Sequence, residues 1–381
     1  MRTTYQYRLV PTPEQERALE VVLWRCRTLY NVALEQRKTW WARGQGIGAT
    51  YYQQKAELPD LKAAHPEYAE VHSQVVQDVL LRLDRAFQAF FRRLKAGEQP
   101  GYPRFQGRDR YHSFTYPQYG NGAVLDGGVL SLSKLGRIPI RLHRPLEGTP
   151  KTVTISREAD GWYACISCDA VPVHQLPPTG QETGIDVGLV HFLTRADGAH
   201  VPNPRHLRKA EKALKRAQRR VSRCKKGSNR RRKAVKLLQK HHLKVRRQRR
   251  HFHHTTALDL LRAYDTIYLE DVRVANMMRN HSLAKSISDA GWGQFRAILE
   301  GKAAYAGRRV VAVPPAYTSQ DCSGCGERVR KSLSVRTHVC PACGLVIDRD
   351  ENAAKNIQRA GQARRGLAGP PAGVNREAPS L

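Results

Sequence analysis

Cys322-Ser-Gly-Cys325 and Cys340-Pro-Ala-Cys343, followed at once by Asp348-Arg-Asp350-Glu-Asn-Ala-Ala354, set the frame for the rest of the chain. Two CxxC pairs separated by 14 residues have the spacing of a tetrahedral Cys₄ zinc ribbon, with Cys322, Cys325, Cys340 and Cys343 as ligands. Gly326 and Gly344 follow the second cysteine of each pair, where a tight knuckle needs a small residue. The acidic element directly after the ribbon reads as a carboxylate held in place by a structural Zn²⁺. A third CxxC, Cys165 to Cys168, lies in a strand pattern that sends the two thiols to opposite faces, so one ion cannot easily take both.

Upstream, Gly184-Ile-Asp186-Val-Gly188 reads as an apolar strand bearing one Asp and leading into a hairpin that turns at Asp197-Gly198. A buried carboxylate there is costly unless it is paired or binds a metal. Taken alone, Asp186 reads more readily as a strand-end residue hydrogen-bonded to a turn. A second lone carboxylate, Glu270, ends the apolar strand Ile267-Tyr-Leu-Glu270. With the Asp348/Asp350 pair before the helix Asn352 to Ile357, three carboxylates arrive from two strands and a helix start. Hard oxygen ligands of this kind suit Mg²⁺ or Mn²⁺. Two such ions about 4 Å apart can activate a water and steady the leaving oxygen of a phosphodiester.

The chain carries 65 Lys+Arg against 33 Asp+Glu, a formal net charge of +32 over 381 residues. Such an excess implies a polyanion partner, nucleic acid before anionic membrane. No run of about 18 apolar residues predicts a membrane span, and Met1 to Pro11 lacks the apolar stretch of a signal peptide. Thiols kept for zinc fit a cytoplasmic, nucleoid-associated setting. The basic excess peaks from Arg205 to Arg250, with 22 Lys+Arg and one acid, Glu211. Leu207, Ala210, Leu214, Ala217 and Val221, then Ala234, Leu237, Leu238, Val245 and Phe252, keep helical stripes on either side of a Lys225 to Asn229 turn. The pattern predicts a helical hairpin over 204–254 lying along a phosphate backbone, which positions a strand without reading its sequence. Arg219, Arg220, Lys225, Lys226, Arg230 and Arg231 are the phosphate contacts expected on it. The five histidines between His241 and His254 are expected to add to those contacts.

In the N-terminal half, Tyr5 to Val10 alternates as a strand, and Thr12-Pro-Glu-Gln15 opens a helix running to about Arg43 on the stripe Leu19, Val22, Leu23, Cys26, Leu29, Tyr30 and Ala33. A second helix, from about Val71 to Lys95, carries Val75, Val76, Val79, Leu80, Leu83, Ala86, Phe87, Phe90 and Phe91 on its apolar face. Short strands broken by Asn-Gly and Gly-Gly turns fill Ser113 to Ala170, and a Pro-rich stretch from Val171 to Thr183 marks a boundary.

The order GIDVG (184–188), basic hairpin, YLEDV (268–272), SISDAGWG (286–293), CxxC, CxxC and DRDENAA (348–354) closely resembles the transposon-encoded TnpB family, RNA-guided endonucleases related to type V CRISPR effectors and Fanzor proteins. Leu29-Tyr-Asn-Val32 and PGYPRF (100–105) extend the resemblance over roughly residues 1–360. The resemblance implies an α/β multi-domain protein: a RuvC nuclease domain of ribonuclease-H-like fold with an inserted zinc ribbon, and an N-terminal β-barrel-like wedge interrupted by a helical recognition insertion. The expected boundaries are 1–10 first wedge strand, 11–100 helical insertion, 101–180 wedge β-module, 181–320 RuvC core, 321–344 zinc ribbon, 345–360 third RuvC motif and helix, and 361–381 disordered tail. Asp186, Glu270 and Asp350 match the catalytic, magnesium-binding carboxylates, with Asp348 as rival for the last place.

The resemblance further implies a bacterial or archaeal protein acting as a monomer on one guide RNA from the transposon end. The RNA would lie in a positive channel between the halves. The protein would read a short motif beside a double-stranded DNA target and cut both strands at one site, leaving 5′-phosphate and 3′-hydroxyl ends. Tyr51, Gln77 and Thr115, in TYYQQ, SQVVQD and HSFTY, match positions facing the flanking duplex, against the plainer readings of core tyrosine, solvated glutamine and strand threonine. Two other classes stay open: a guide-dependent DNA-binding regulator that does not cut, and a transposase proper, whose ribonuclease-H-like core would also use three carboxylates.

Overall fold

The structure is a computed structural model that describes residues 1–42, 49–332 and 335–367. Arg43 and residues 368–381 of the expected tail lie outside the described residues. The chain divides into two compact units, the first ending at Pro172 and the second beginning at Val173. This boundary falls inside the Pro-rich stretch.

The first unit opens with β1 (Thr3–Leu9) and α1 (Pro13–Ala42). Thr12 Oγ1 accepts the Gln15 N–H at 3.3 Å and Gln15 Oε1 accepts the Thr12 N–H at 3.0 Å, the reciprocal cap expected from the sequence. The α1 stripe from Leu19 to Ala33 is buried as its spacing predicts. Short helices α2 (Tyr51–Ala56) and α3 (Leu58–Ala64) lead through a 3₁₀ turn to α4 (Ser73–Lys95). Val75, Val76, Val79, Leu80, Leu83 and Phe87 of α4 are buried, but Phe91 is 52% exposed because the helix end passes beyond the core. Then come β2 (Ser113–Tyr116), β3 (Ala123–Asp126), β4 (Val129–Leu132), β5 (Gly136–Arg141), β6 (Thr149–Glu158) and β7 (Gly161–Asp169). They join β1 in an antiparallel sheet of order β2-β6-β7-β1-β5-β4-β3. The helices are thus an insertion between two strands of one sheet.

The second unit begins with β8 (Glu182–Val187), β9 (His191–Arg195) and β10 (His200–Pro202). The helical hairpin α5 (His206–Ser222) and α6 (Asn229–Ala263) follows, then β11 (Thr266–Glu270), α7 (Val274–Met277), α8 (His281–Ala290), α9 (Trp292–Ala306) and β12 (Arg309–Val313). β13 (Thr337–Val339) and β14 (Val346–Asp348) pair as a ribbon ahead of α10 (Arg349–Leu367). The main sheet has the order β10-β9-β8-β11-β12. β8, β11 and β12 are parallel, while β9 and β10 run antiparallel to their neighbours.

Alternation along β11 divides the packing. Ile267 and Leu269 join Ile185, Phe192, Leu193, Leu260, Phe295 and Leu299 in the large core under α6 and α9. Tyr268 faces the other way, with Val313 and Ile357 of α10. Burial on both faces explains why these strands are apolar runs. α10 continues to Leu367, past residue 361 where the tail was expected to start. The cause is packing: a Cβ at Gly361 would stand 1.9 Å from the Tyr268 ring, so the glycine that looks like a linker is a close helix–strand contact.

Candidate functional site

Two of the three expected carboxylates become neighbours through strand register alone. Ile185 lies opposite Leu269 in the parallel pair β8/β11, so the next step sets Asp186 beside Glu270. The third comes from the first turn of α10, which lies across the same sheet. The helix approaches so closely that a Cβ at Gly184 would meet Ala354 O at 2.0 Å, which accounts for the first glycine of the strand motif.

The electrostatics record the convergence. Burial, then the charges of Glu270 and Asp350, push the Asp186 carboxyl well above its ordinary range, with Arg349 opposing. Burial also raises Glu270, against a hydrogen bond donated by Thr318 Oγ1 to its Oε1. Asp350 is 7% exposed and is held by Arg349 Nη2 at 3.0 Å and Arg336 Nη1 at 3.4 Å. Asp348 does something else: its Oδ1 accepts the N–H groups of Asp350 at 2.8 Å and Glu351 at 3.1 Å, capping α10 from an exposed position. Asp348 thus caps α10 from an exposed position while Asp350 is buried, and the charge of Asp348 adds to that of Asp350 against Asp186. Asp186 therefore sits in a group of buried and half-buried carboxylates whose charge is only partly offset.

The four cysteines form a closed set, with Sγ atoms all within 4.8 Å of one another; among the described residues no second cluster of possible metal ligands is gathered so tightly. Cys322–Cys343 and Cys325–Cys340 are each 3.6 Å apart, Sγ to Sγ. A tetrahedral Zn²⁺ with bonds of ~2.3 Å spaces its sulfurs ~3.8 Å apart, so the set fits zinc. Against the cost of burial, the backbone amides of Cys325 and Gly324 draw the Cys322 thiol down to about 6, toward the thiolate a metal needs. Gly326 and Gly344 adopt φ of 86° and 74°, the left-handed turn expected after each pair.

The basic hairpin forms, but its second helix runs to Ala263, past the expected end at 254, and there are corrections inside it. Arg219, Arg220, Lys225, Lys226 and Arg230 are exposed. Arg231 is turned inward, its Nη1 donating to Val221 O at 2.7 Å and so pinning the end of α5 to the start of α6. Leu237, placed on the apolar stripe, is 38% exposed, and Leu243 is buried instead. His253, expected among the backbone contacts, is fully buried, with Nε2 bonded to Ala290 O at 2.9 Å. The SISDAGWG segment proves to be the hairpin's anchor. Asp289 accepts the α5 amides of Leu207 at 2.9 Å and Arg208 at 3.3 Å and pairs with Arg249 of α6 at 3.5 Å.

Tyr51, at the start of α2, is half-buried against Tyr52, and Gln77 is half-buried on α4. The Thr115 hydroxyl on β2 is engaged by Arg82 Nη2 at 2.5 Å and by Thr154 at 2.8 Å. Sequence reasoning missed Thr318, which donates to Glu270, and Asn352 and Asn356, which donate to the chain leading into the first knuckle; the two asparagines, four residues apart on the final helix, were the available signal. No described helix is long and apolar enough to cross a membrane.

Residues 164–281 match a family described as a "probable transposase", residues 292–357 a "Cas12f1-like, TNB domain" and residues 1–46 a "helix-turn-helix domain". Within the last match, residues 1–42 form one strand and one long helix. A "putative RNA-guided DNA endonuclease" of Streptomyces pristinaespiralis is 36% identical over 372 residues, covering 95% of this chain and 90% of the relative. A "putative RNA-guided DNA endonuclease InsQ" of Escherichia coli K12 is 31% identical over 94% of this chain and 92% of its own. The Cas12f1 chain from a Cas12f1–sgRNA–target DNA complex superposes with a TM-score of 0.57 at 15% identity, covering 92% of this chain and 83% of that one. The mini RNA-guided endonuclease Cas_phi3 gives 0.52 at 10% identity over 97% and 94%. These last two likenesses are of fold.

Proposed function

Because the chain belongs to the TnpB family, we propose that it is a guide-RNA-directed DNA endonuclease whose chemistry runs at Asp186, Glu270 and Asp350. The observation that supports the reading is the strand register that sets Asp186 beside Glu270, together with the charge of Asp350 against Asp186. The sheet order, three strands in antiparallel succession followed by two parallel ones, supports a ribonuclease-H-like RuvC core. The three carboxylates would hold two Mg²⁺ or Mn²⁺ ions, which supply an activated water and stabilise the leaving oxygen. The exposed arginines and lysines of α5 and α6 hold nucleic-acid phosphates, and Asp289 keeps that hairpin in place. The ribbon takes Zn²⁺ as a structural ion. The partners are an RNA from the transposon end and a DNA duplex opened beside a short motif, with both strands cut in turn.

The test is purification with RNA from the native locus, followed by cleavage in Mg²⁺ of a guide-matched plasmid with a randomised flank. Wild type should cut and enrich one flank, while Asp186→Ala binds the same target without cutting. Guided binding by wild type without cuts would point instead to a regulator. Joined strands would point to a transposase, and absence of bound RNA would sink the reading.

A further inference from the structure

The segment between β12 and the first zinc knuckle is bonded at one end to a carboxylate and along its length to the helix that carries another. Thr318 Oγ1 donates to Glu270 Oε1. The carbonyl of the same Thr318 accepts Asn356 Nδ2 at 2.9 Å. Three residues on, Asp321 O accepts both Asn356 Nδ2 at 2.6 Å and Asn352 Nδ2 at 2.8 Å. Past Cys322, the Ser323 N–H donates to Asn352 Oδ1 at 2.9 Å, and Ser323 O accepts Arg359 Nη2 at 2.6 Å. Asn352, Asn356 and Arg359 share one face of α10, at the spacing i, i+4, i+7. Thr318 and Asn352 are buried, at 8% and 0% exposure, so each of these bonds is costly to leave unmade.

A helix needs no such bonds to stay helical, and a zinc knuckle closes without them. What the bonds do is fix a spacing. Asp350 stands two residues before Asn352 on α10, Glu270 is gripped by Thr318, and Cys322 lies between the two anchor points. With the four thiolates tied, residues 318–323 would lose their freedom, and that segment is bonded to Glu270 on one side and to the helix carrying Asp350 on the other.

We propose that Thr318, with Asn352 and Asn356, is a positioning residue through which the zinc ribbon sets the separation of Glu270 and Asp350, and hence the affinity of the acidic site for divalent cations. The inference rests on the nuclease reading above and adds a role for the ribbon beyond folding.

The test uses the whole protein–guide RNA complex, as wild type, Thr318→Val and Thr318→Ser. Zinc content, guide-RNA affinity, Mn²⁺ bound at equilibrium (by electron paramagnetic resonance) and the Mn²⁺ dependence of cleavage are measured on each. Thr318→Val should keep its zinc and its RNA but need about tenfold more Mn²⁺, both for binding and for half-maximal cleavage, as loss of a ligand-orienting bond does elsewhere. Thr318→Ser, which restores the hydroxyl, should return to the wild-type requirement. Unchanged Mn²⁺ affinity in Thr318→Val would overturn the proposal, as would loss of zinc in that variant or failure of Thr318→Ser to rescue. A wild-type complex that binds Mn²⁺ but cuts nothing would instead count against the nuclease reading, and the equilibrium binding comparison would still decide the role of Thr318.

Discussion

The four cysteines and the three carboxylates all belong to the second unit, yet are assembled in opposite ways. The thiols come as two local pairs, each closed by its own turn, and draw within 4.8 Å of one another. The carboxylates come from β8, β11 and α10, up to 164 positions apart in the chain (350 − 186), and are brought together only by sheet register and helix packing. They remain crowded like charges, with arginines leaning on one of them. A cluster of thiols can be written into a few residues of sequence; a cluster of carboxylates of this kind is a property of the whole unit.

The sharpest way to break the comparison is to remove one acid. Asp186→Ala and Asp350→Asn should each lower cleavage on the order of a thousandfold or more, with RNA binding intact, whereas Asp348→Asn should cost only a few-fold, since an amide oxygen still caps α10. Equal losses at 348 and 350, in single-turnover assays, would undo the division of labour between the two aspartates. On the thiol side, Cys322→Ser should release zinc and leave residues 321–348 open to protease while the main sheet still melts as a unit, because structural zinc supplies ~10–16 kcal/mol of local folding energy.

A smaller effect has the opposite sign. Asp186→Asn should raise the melting temperature of the metal-free protein by a few degrees, since it removes a buried like charge. Mg²⁺ should then stabilise wild type more than the variant, and a variant no more stable than wild type would mean the carboxylates are not crowded. The smallest effect lies away from both metals. Burial, opposed in part by the bond to Ala290 O, lowers the His253 pKa below its ordinary 6.5. The folded state therefore resists protonation that the unfolded state accepts, so stability is full above pH ~6.5 and falls as pH drops below it. His253→Leu should flatten that fall in calorimetry between pH 7 and 5.

Much of this was legible before any coordinates, and what was not has a pattern. The α1 stripe, the Cys₄ spacing and the strands bearing Asp186 and Glu270 are signals carried by neighbours in sequence. Arg231 was indistinguishable from Arg230 because only the turn geometry decides which guanidinium meets Val221 O. His253 lay in a cationic tract, and nothing local shows that α6 has already entered the core under Ala290. Thr318 has no periodicity at all, since its two bonds go to residues 48 and 38 positions away. Gly361 looked like the start of a tail, because composition records an absent side chain and not the Tyr268 ring that requires the absence.

The same kind of absence at Gly184 bears on how copies of such a gene are sorted. A single methyl group there would collide with Ala354 O and shift α10 off the sheet, taking Asp350 with it. A copy that spells all three acids but has alanine at 184 would, on the reading above, hold its RNA, find its target and leave it whole. Inventories that count acidic letters would score that copy as a cutter. On that reading the glycine at 184 is as much a condition of cutting as the three acids it helps to bring together.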